Sequence, residues 1–364
     1  MTTSSFSTSY SDARSKFLEA ASGAGASLRS YQHPEVGPDG GDLFTDCAWI
    51  GPADAKAVLV LVSGTHGVEG YCGSGAQIDW LRRGEHTLVA EGTAVLLIHA
   101  INPYGFAWKR RVTHENVDMN RNFVDFSQPL PQNPDYELLA DAVKPEDWSE
   151  ETQAVARKVI LDYARAKGFP VLAQTISGGQ YSHPDGLFYG GSEPTWSRQT
   201  LEEIFREYLA HATDIGIVDY HTGLGPEGYA EPIITNSAGS PEHMRAVEWH
   251  GLAAKCVATG ESVSAEIAGD WLEAAPRLLS HARFTGISLE FGTVDSAHVL
   301  DALRADNWLH AHGDPLGPEA ARIKQQILDA FYIDTDVWRG MVLGQSLMTV
   351  RQTMNGLSRA LSTK

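Results

Sequence analysis

Ala57-Val58-Leu59-Val60-Leu61-Val62-Ser63-Gly64-Thr65-His66-Gly67-Val68-Glu69-Gly70 joins an unbroken apolar run to a turn, and then to a histidine and a glutamate. Six consecutive apolar residues closed by Ser-Gly read as a strand buried on both faces, the kind found inside parallel sheets. His66 and Glu69 then fall on the loop at the strand's carboxyl end, where open α/β sheets hold their ligands. An imidazole and a carboxylate three residues apart suit a catalytic zinc, which takes one more protein ligand and keeps a position for water.

Working outward, Leu43 to Ile50 and Thr93 to His99 read as further strands, and Ser74 to Arg83 as the helix between the second and third. This strand-helix-strand rhythm is that of a parallel crossover. Thr213 to His221, Glu231 to Thr235 and Gly286 to Phe291 read as later strands. Helical patterns cover Glu150 to Lys167, Pro194 to His211, Pro241 to Cys256 and most of Pro318 to Leu361, with a break near Tyr332 to Thr335. Near the start, Ser11 is placed to cap a helix over Asp12 to Ala21, and the first ten residues, rich in Ser and Thr, read as loose. Ser127 to Pro134 reads as a loop. The expected fold is a single α/β domain over residues 1–364, a mixed, largely parallel sheet flanked by helices on both faces.

Composition narrows the function. The 364 residues are 43% hydrophobic and 20% charged, ordinary for a globular chain. No apolar run approaches the roughly 20 residues a membrane helix needs, and the first residues lack the basic and apolar regions of a secretion signal. Three cysteines, Cys47, Cys72 and Cys256, have no metal-ligand spacing and read as reduced thiols of a cytoplasmic protein. A net charge of −18 argues against nucleic acid or an anionic membrane as partner. The oligomeric state, homo-oligomer included, is left open.

Three further stretches carry chemistry. Asp219-Tyr220-His221-Thr222-Gly223 puts a second histidine at a strand end, placed to meet His66 and Glu69. Lys109 to Phe123 crowds Arg110, Arg111 and Arg121 with Asn116, Asn120 and Asn122 in an otherwise acidic chain. A planar guanidinium beside an amide suits a carboxylate gripped by parallel hydrogen bonds, and an arginine near a metal can stabilise an oxyanion. In Ser288-Leu289-Glu290-Phe291-Gly292-Thr293, Glu290 ends an apolar run, where a carboxylate is costly without a task or a partner. The segments Ser177 to Pro184 and Tyr189 to Ser192, rich in Gly, Tyr and Ser, are either a pocket lining or a cluster of surface turns. Gly223 to Gly228 matches the dinucleotide pattern G-x-G-x-x-G but leads into a strand rather than a helix, so the pattern lacks its context.

Taken in chain order, His66-x-x-Glu69, Asp118-x-Asn120-Arg121, His221 and Glu290 resemble the zinc carboxypeptidase superfamily, which includes carboxypeptidase A and the deacylases succinylglutamate desuccinylase and aspartoacylase. The surrounding residues are similar to a bacterial, metallocarboxypeptidase-like branch, from about residue 40 to the C-terminus. The resemblance implies one Zn2+ ion held by His66, Glu69 and His221, with Asp118 orienting His66. It implies Glu290 as general base and then general acid, and Asn120 and Arg121 as the grip on a substrate carboxylate. Arg111, or its neighbour Arg110, would polarise the scissile carbonyl. The implied substrate is a small molecule or short peptide with a free carboxylate. The superfamily's peptidases carry a mobile tyrosine some twenty residues before the catalytic glutamate, and Ser264 to Pro276 has none. An N-acyl amino acid deacylase therefore stands beside the peptidase as an expectation, as does a zinc-binding protein without turnover.

Overall fold

The sheet is laid out around the opening apolar strand. In the computed structural model, which describes residues 2–362, the strands are β1 (Ser27–Val36), β2 (Asp42–Ile50), β3 (Ala57–Val62), β4 (Thr93–His99), β5 (Asp214–Glu227), β6 (Ala230–Ile234), β7 (Lys255–Cys256) and β8 (Arg283–Gly292). They form one 8-stranded sheet in the order β1-β2-β4-β3-β5-β8-β6-β7. β3 runs parallel to both β4 and β5, and β5 parallel to β8. β1, β2 and β6 pair antiparallel to their inner neighbours. The sheet is therefore mixed, with a parallel centre, as expected.

All six residues of β3 are buried. Alternate side chains feed two cores, as the pleat requires. Ala57, Leu59 and Leu61 pack with Phe17, Cys72, Ala76 and Leu357, which come from the helices Tyr10–Gly23, Gly70–Arg82 and Asp336–Ser362. Val58, Val60 and Val62 pack on the other face with Leu201, Ile204 and Leu272, from the helices Trp196–Tyr208 and Trp271–Leu278. Helices thus cover both faces. Among the described residues no helix is long and apolar enough to cross a membrane.

Several boundaries differ from expectation. Ser9, not Ser11, caps the first helix, accepting from the amide of Asp12 (3.1 Å), and that helix runs Tyr10–Gly23. The start of the chain is not loose: Phe6 and Tyr10 are buried against the core, although Met1 lies outside the described residues, as do 363 and 364. The helix from Pro241 stops at His250, because Gly251 takes a left-handed φ of 68° and the chain turns into β7. β1 went unread because it is an edge strand, exposed at eight of its ten positions and poor in apolar alternation.

One contact fixes where the histidine loop sits. The Gly67 and Val68 amides donate to the carbonyls of Arg111 (3.1 Å) and Arg110 (2.8 Å). This seats Gly67 so tightly on the helix Pro103–Ala107 that a Cβ would lie 1.9 Å from the Gly105 carbonyl carbon. Gly67→Ala is expected to destabilise the fold by roughly 1–3 kcal/mol, read as a lower urea midpoint at unchanged slope. An unchanged midpoint would show that the loop is not wedged there.

Candidate metal centre and its cavity

β4 lies on one side of β3 and β5 on the other, so a crevice opens beyond their carboxyl ends. His66 and Glu69 leave β3 into that crevice, and His221 reaches it near the end of the shared part of β5. The register pairs His221 with Glu290 on β8, which puts both side chains on the same face of neighbouring strands. Past Thr222 the register breaks and β5 bends. The bend lets the Leu224 amide donate to Glu290 Oε1 (3.0 Å).

His66, Glu69 and His221 converge as buried side chains. His66 Nδ1 is 3.0 Å from Glu69 Oε1, His221 Nδ1 is 3.1 Å from Glu69 Oε2, and the two Nδ1 atoms are 3.2 Å apart. Each ring turns its other nitrogen to a carboxylate. His66 Nε2 lies 3.1 Å from Asp118 Oδ1, and His221 Nε2 lies 2.7 Å from Asp219 Oδ2. His66 Nε2 also lies 2.9 Å from Arg111 Nη2. The two Nδ1 atoms and the Glu69 carboxylate are left facing one another. The Glu69 carboxylate also accepts from Arg111 Nη1 (2.9 Å) and from the Thr222 amide (2.9 Å). Three ligands at roughly 2.0–2.2 Å from a tetrahedral zinc lie a little over 3 Å apart, so the spacing fits that ion. Burial opposes a charge on His221, yet Asp219 and Glu69 together raise its pKa well above the imidazole value. Burial also opposes ionisation of Glu69, but His66, His221 and Arg111 draw its carboxyl below the ordinary range.

Asp118 is the hub of the surrounding shell. It accepts from His66 Nε2, from Arg111 Nε (3.0 Å), from Arg121 Nη1 (3.3 Å) and from the Asn120 amide (3.0 Å). Despite complete burial, Arg121, Arg111 and His66 hold its carboxyl well below the usual range. Asp219 has the same part behind His221. It is fixed by Thr65 Oγ1 (2.9 Å) and Trp271 Nε1 (2.8 Å). The sequence reading gave Asp219 no role, although its place two residues before His221 on one strand put both on the same face.

A cavity of about 300 Å³ opens beside the cluster, bordered by His66, His221, Glu290, Arg111, Asn120 and Arg121. Within it, burial and then the Glu69 carboxylate push the Glu290 carboxyl up to about 8. Two buried polar atoms at its edge lack protein partners, Arg121 Nε and Asn120 Oδ1. Arg111 spans Asp118 and Glu69, its Nη1 donating to Glu69 Oε1 (2.9 Å). Arg110 is a correction to expectation: it is not brought to the cavity. Its Nε donates to Asp306 (3.2 Å) and its Nη2 to Asn116 (2.9 Å), because adjacent residues of this segment point to opposite sides. Asp306 also pairs with Lys324, so Arg110 belongs to an ion cluster of its own, away from the cavity. From Ser264 to Pro276 the cavity receives Ser264, Ala265, Ile267 and Asp270, and no tyrosine lines it among the described residues. Of the Ser177 to Ser192 stretch, Ser177 and Phe188 reach it.

Fold and site together define an α/β protein with a prospective single-metal centre at the sheet's switch point. The chain belongs to the family described as "Protein of unknown function (DUF2817)", whose model matches residues 6–345. No curated protein matches. Among solved structures, it is similar to carboxypeptidase A from Helicoverpa armigera at 11% identity, covering 89% of this chain and 74% of that one, with a TM-score of 0.48. It is similar to an aspartoacylase family protein from Mesorhizobium loti at 15% identity, over 79% and 67% of the two chains, with a TM-score of 0.37. Murein-tripeptide amidase MpaA from Escherichia coli O157 is similar at 17% identity over 79% and 91%, with a TM-score of 0.34.

Proposed function

We propose that the protein is a zinc-dependent hydrolase of an amide bond in a small molecule or short peptide carrying a free carboxylate, working in the cytoplasm. The observation that carries this reading is the convergence of His66 Nδ1, His221 Nδ1 and the Glu69 carboxylate beside Glu290 and a cationic cavity wall. Zinc bound there would supply a Lewis acid that makes water nucleophilic near neutral pH. The chain's own residues do the rest. Asp118 and Asp219 fix the tautomer and aim of the two imidazoles. Glu290, in the ionised form that a bound cation beside it would favour, would take a proton from the attacking water and return it to the leaving nitrogen. Arg111 presents positive charge where the carbonyl oxygen becomes negative.

Arg121 Nε, a buried donor without a partner, holds the substrate carboxylate. Asn120 assists, since rotation of its amide exchanges the orphan Oδ1 for a donor. Since no tyrosine lines the cavity among the described residues, terminal peptide bonds and N-acyl groups are both candidate targets. Arg121→Ala is expected to raise KM about a hundredfold with little change in kcat, as for a charged hydrogen bond of about 3 kcal/mol. The check is a panel of N-acyl amino acids and short peptides, with zinc content as the control for folding. Unaltered KM for carboxylate substrates would refute the clamp.

A further inference from the structure

We infer that Phe188 is a positioning residue, whose ring sets the spacing and aim of Arg111 and Arg121 so that the two guanidiniums present one anion-binding wall. The inference deepens the proposed function, because it rests on the cavity taking a carboxylate.

Arg111 and Arg121 are two like charges that share partners, Arg121 buried and Arg111 largely so. Asp118 ties them on one side, its two oxygens divided between Arg111 Nε and Arg121 Nη1. Phe188 ties them on the other. The Arg111 guanidinium carbon lies 5.4 Å from the ring centroid and that of Arg121 lies 5.2 Å from it. One ring thus meets two cations, and both contacts are drier than a surface cation–π pair, since Phe188 is 8% exposed.

The backbone shows that this placement is imposed. Phe188 has φ 53°, the left-handed region that a bulky side chain rarely enters. Such strain persists where the surroundings over-determine the chain, and here they do. The Phe188 carbonyl accepts from the Gln180 amide (3.1 Å) and the Tyr189 carbonyl from the Asp118 amide (2.8 Å). Leu187 O accepts from Tyr136 Oη (3.1 Å) and from Gln180 Nε2 (3.2 Å). The loop also grips the arginine segment directly. Asn122 Nδ2 donates to Gly190 O (2.9 Å), Tyr181 Oη donates to Arg121 O (2.6 Å), and a Cβ on Gly179 would lie 2.7 Å from Arg121 Cγ. The Gly- and Tyr-rich stretch is therefore a mount for the arginine segment, and Phe188 carries it into the cavity between the two guanidiniums' contacts.

The experiment compares the zinc-loaded wild type with Phe188→Leu, which keeps an apolar side chain and the same backbone demand, and Phe188→Tyr, which keeps the ring. Two readouts are taken: the Nε–H NMR signals of Arg111 and Arg121, and calorimetric affinity for hippurate, a simple N-acyl amino acid, with Glu290→Gln added to every protein so that hippurate is bound and not hydrolysed. The wild type is expected to show both arginine signals shifted upfield by the ring and protected from exchange. Phe188→Leu should lose both shifts and weaken hippurate about tenfold, at unchanged zinc content. Phe188→Tyr should keep the signals and bind within about twofold of wild type. Unmoved arginine signals in Phe188→Leu would overturn the inference, as would equal losses in the Leu and Tyr variants. A wild type that fails to bind hippurate counts against the carboxylate reading, while the arginine signals still decide the role of Phe188.

Discussion

Glu290→Gln is expected to lower turnover of the zinc-loaded protein by roughly 10²–10⁴-fold, the usual contribution of a positioned acid–base, while zinc content stays the same. The residue is not among the three converging ligands, so its loss removes proton transfer and leaves the metal's donors intact. Glutamine keeps the acceptor for the Leu224 amide, so the bend of β5 is held. The same variant makes a prediction about stability. In the metal-free protein the Glu290 carboxyl titrates at about 8, against 4.5 for the free group, because burial and then Glu69 disfavour its ionised form. A raised acid pKa means stability that is complete below about pH 4.5 and lost as pH rises towards 8. Metal-free Glu290→Gln should therefore match wild type in thermal stability at pH 4 and exceed it increasingly from pH 5 to 8. Turnover retained within threefold would remove Glu290 from the chemistry, and an equal margin at every pH would show that its carboxyl is not raised.

His221→Ala and His66→Ala are expected to lose zinc and activity together, with zinc affinity falling by more than a thousandfold, since each removes one of three protein ligands. Asp219→Asn probes the layer behind. It leaves the three ligands but weakens the hold on His221 Nε2, which Asp219 Oδ2 meets at 2.7 Å. A loss of about 10–100-fold in affinity is expected there. Equilibrium competition against a chelator of known affinity separates the two classes. Were His221→Ala to bind zinc as tightly as Asp219→Asn, the three-ligand centre would be wrong.

Much of this was legible before any coordinates. β3 and β4 run between the residues expected, because strands buried on both faces leave an uninterrupted apolar run and turn residues mark their ends. The ordered motif of His66, Glu69, Asp118, Asn120, Arg121, His221 and Glu290 pointed to side chains that the structure brings around one cavity. The rest depends on pairings across the chain. Asp219 is known as the His221 anchor once Thr65 and Trp271 are seen to hold it. Arg110 and Arg111 are equivalent in sequence. The bonds from the Gly67 and Val68 amides to their carbonyls, with Asp306 on one side and Asp118 on the other, tell them apart. Phe188 sits between two segments whose composition says turn. Its meeting with two arginines is set by a loop folded back over residues 116–122.

The decisive measurement is an anomalous difference map from crystals of the protein grown with one equivalent of zinc, collected on both sides of the zinc absorption edge. The expected result is a single strong peak bonded to His66 Nδ1, His221 Nδ1 and the Glu69 carboxylate, within reach of Glu290. A peak seated elsewhere, or no peak from a protein that elemental analysis shows to be zinc-loaded, would contradict the account.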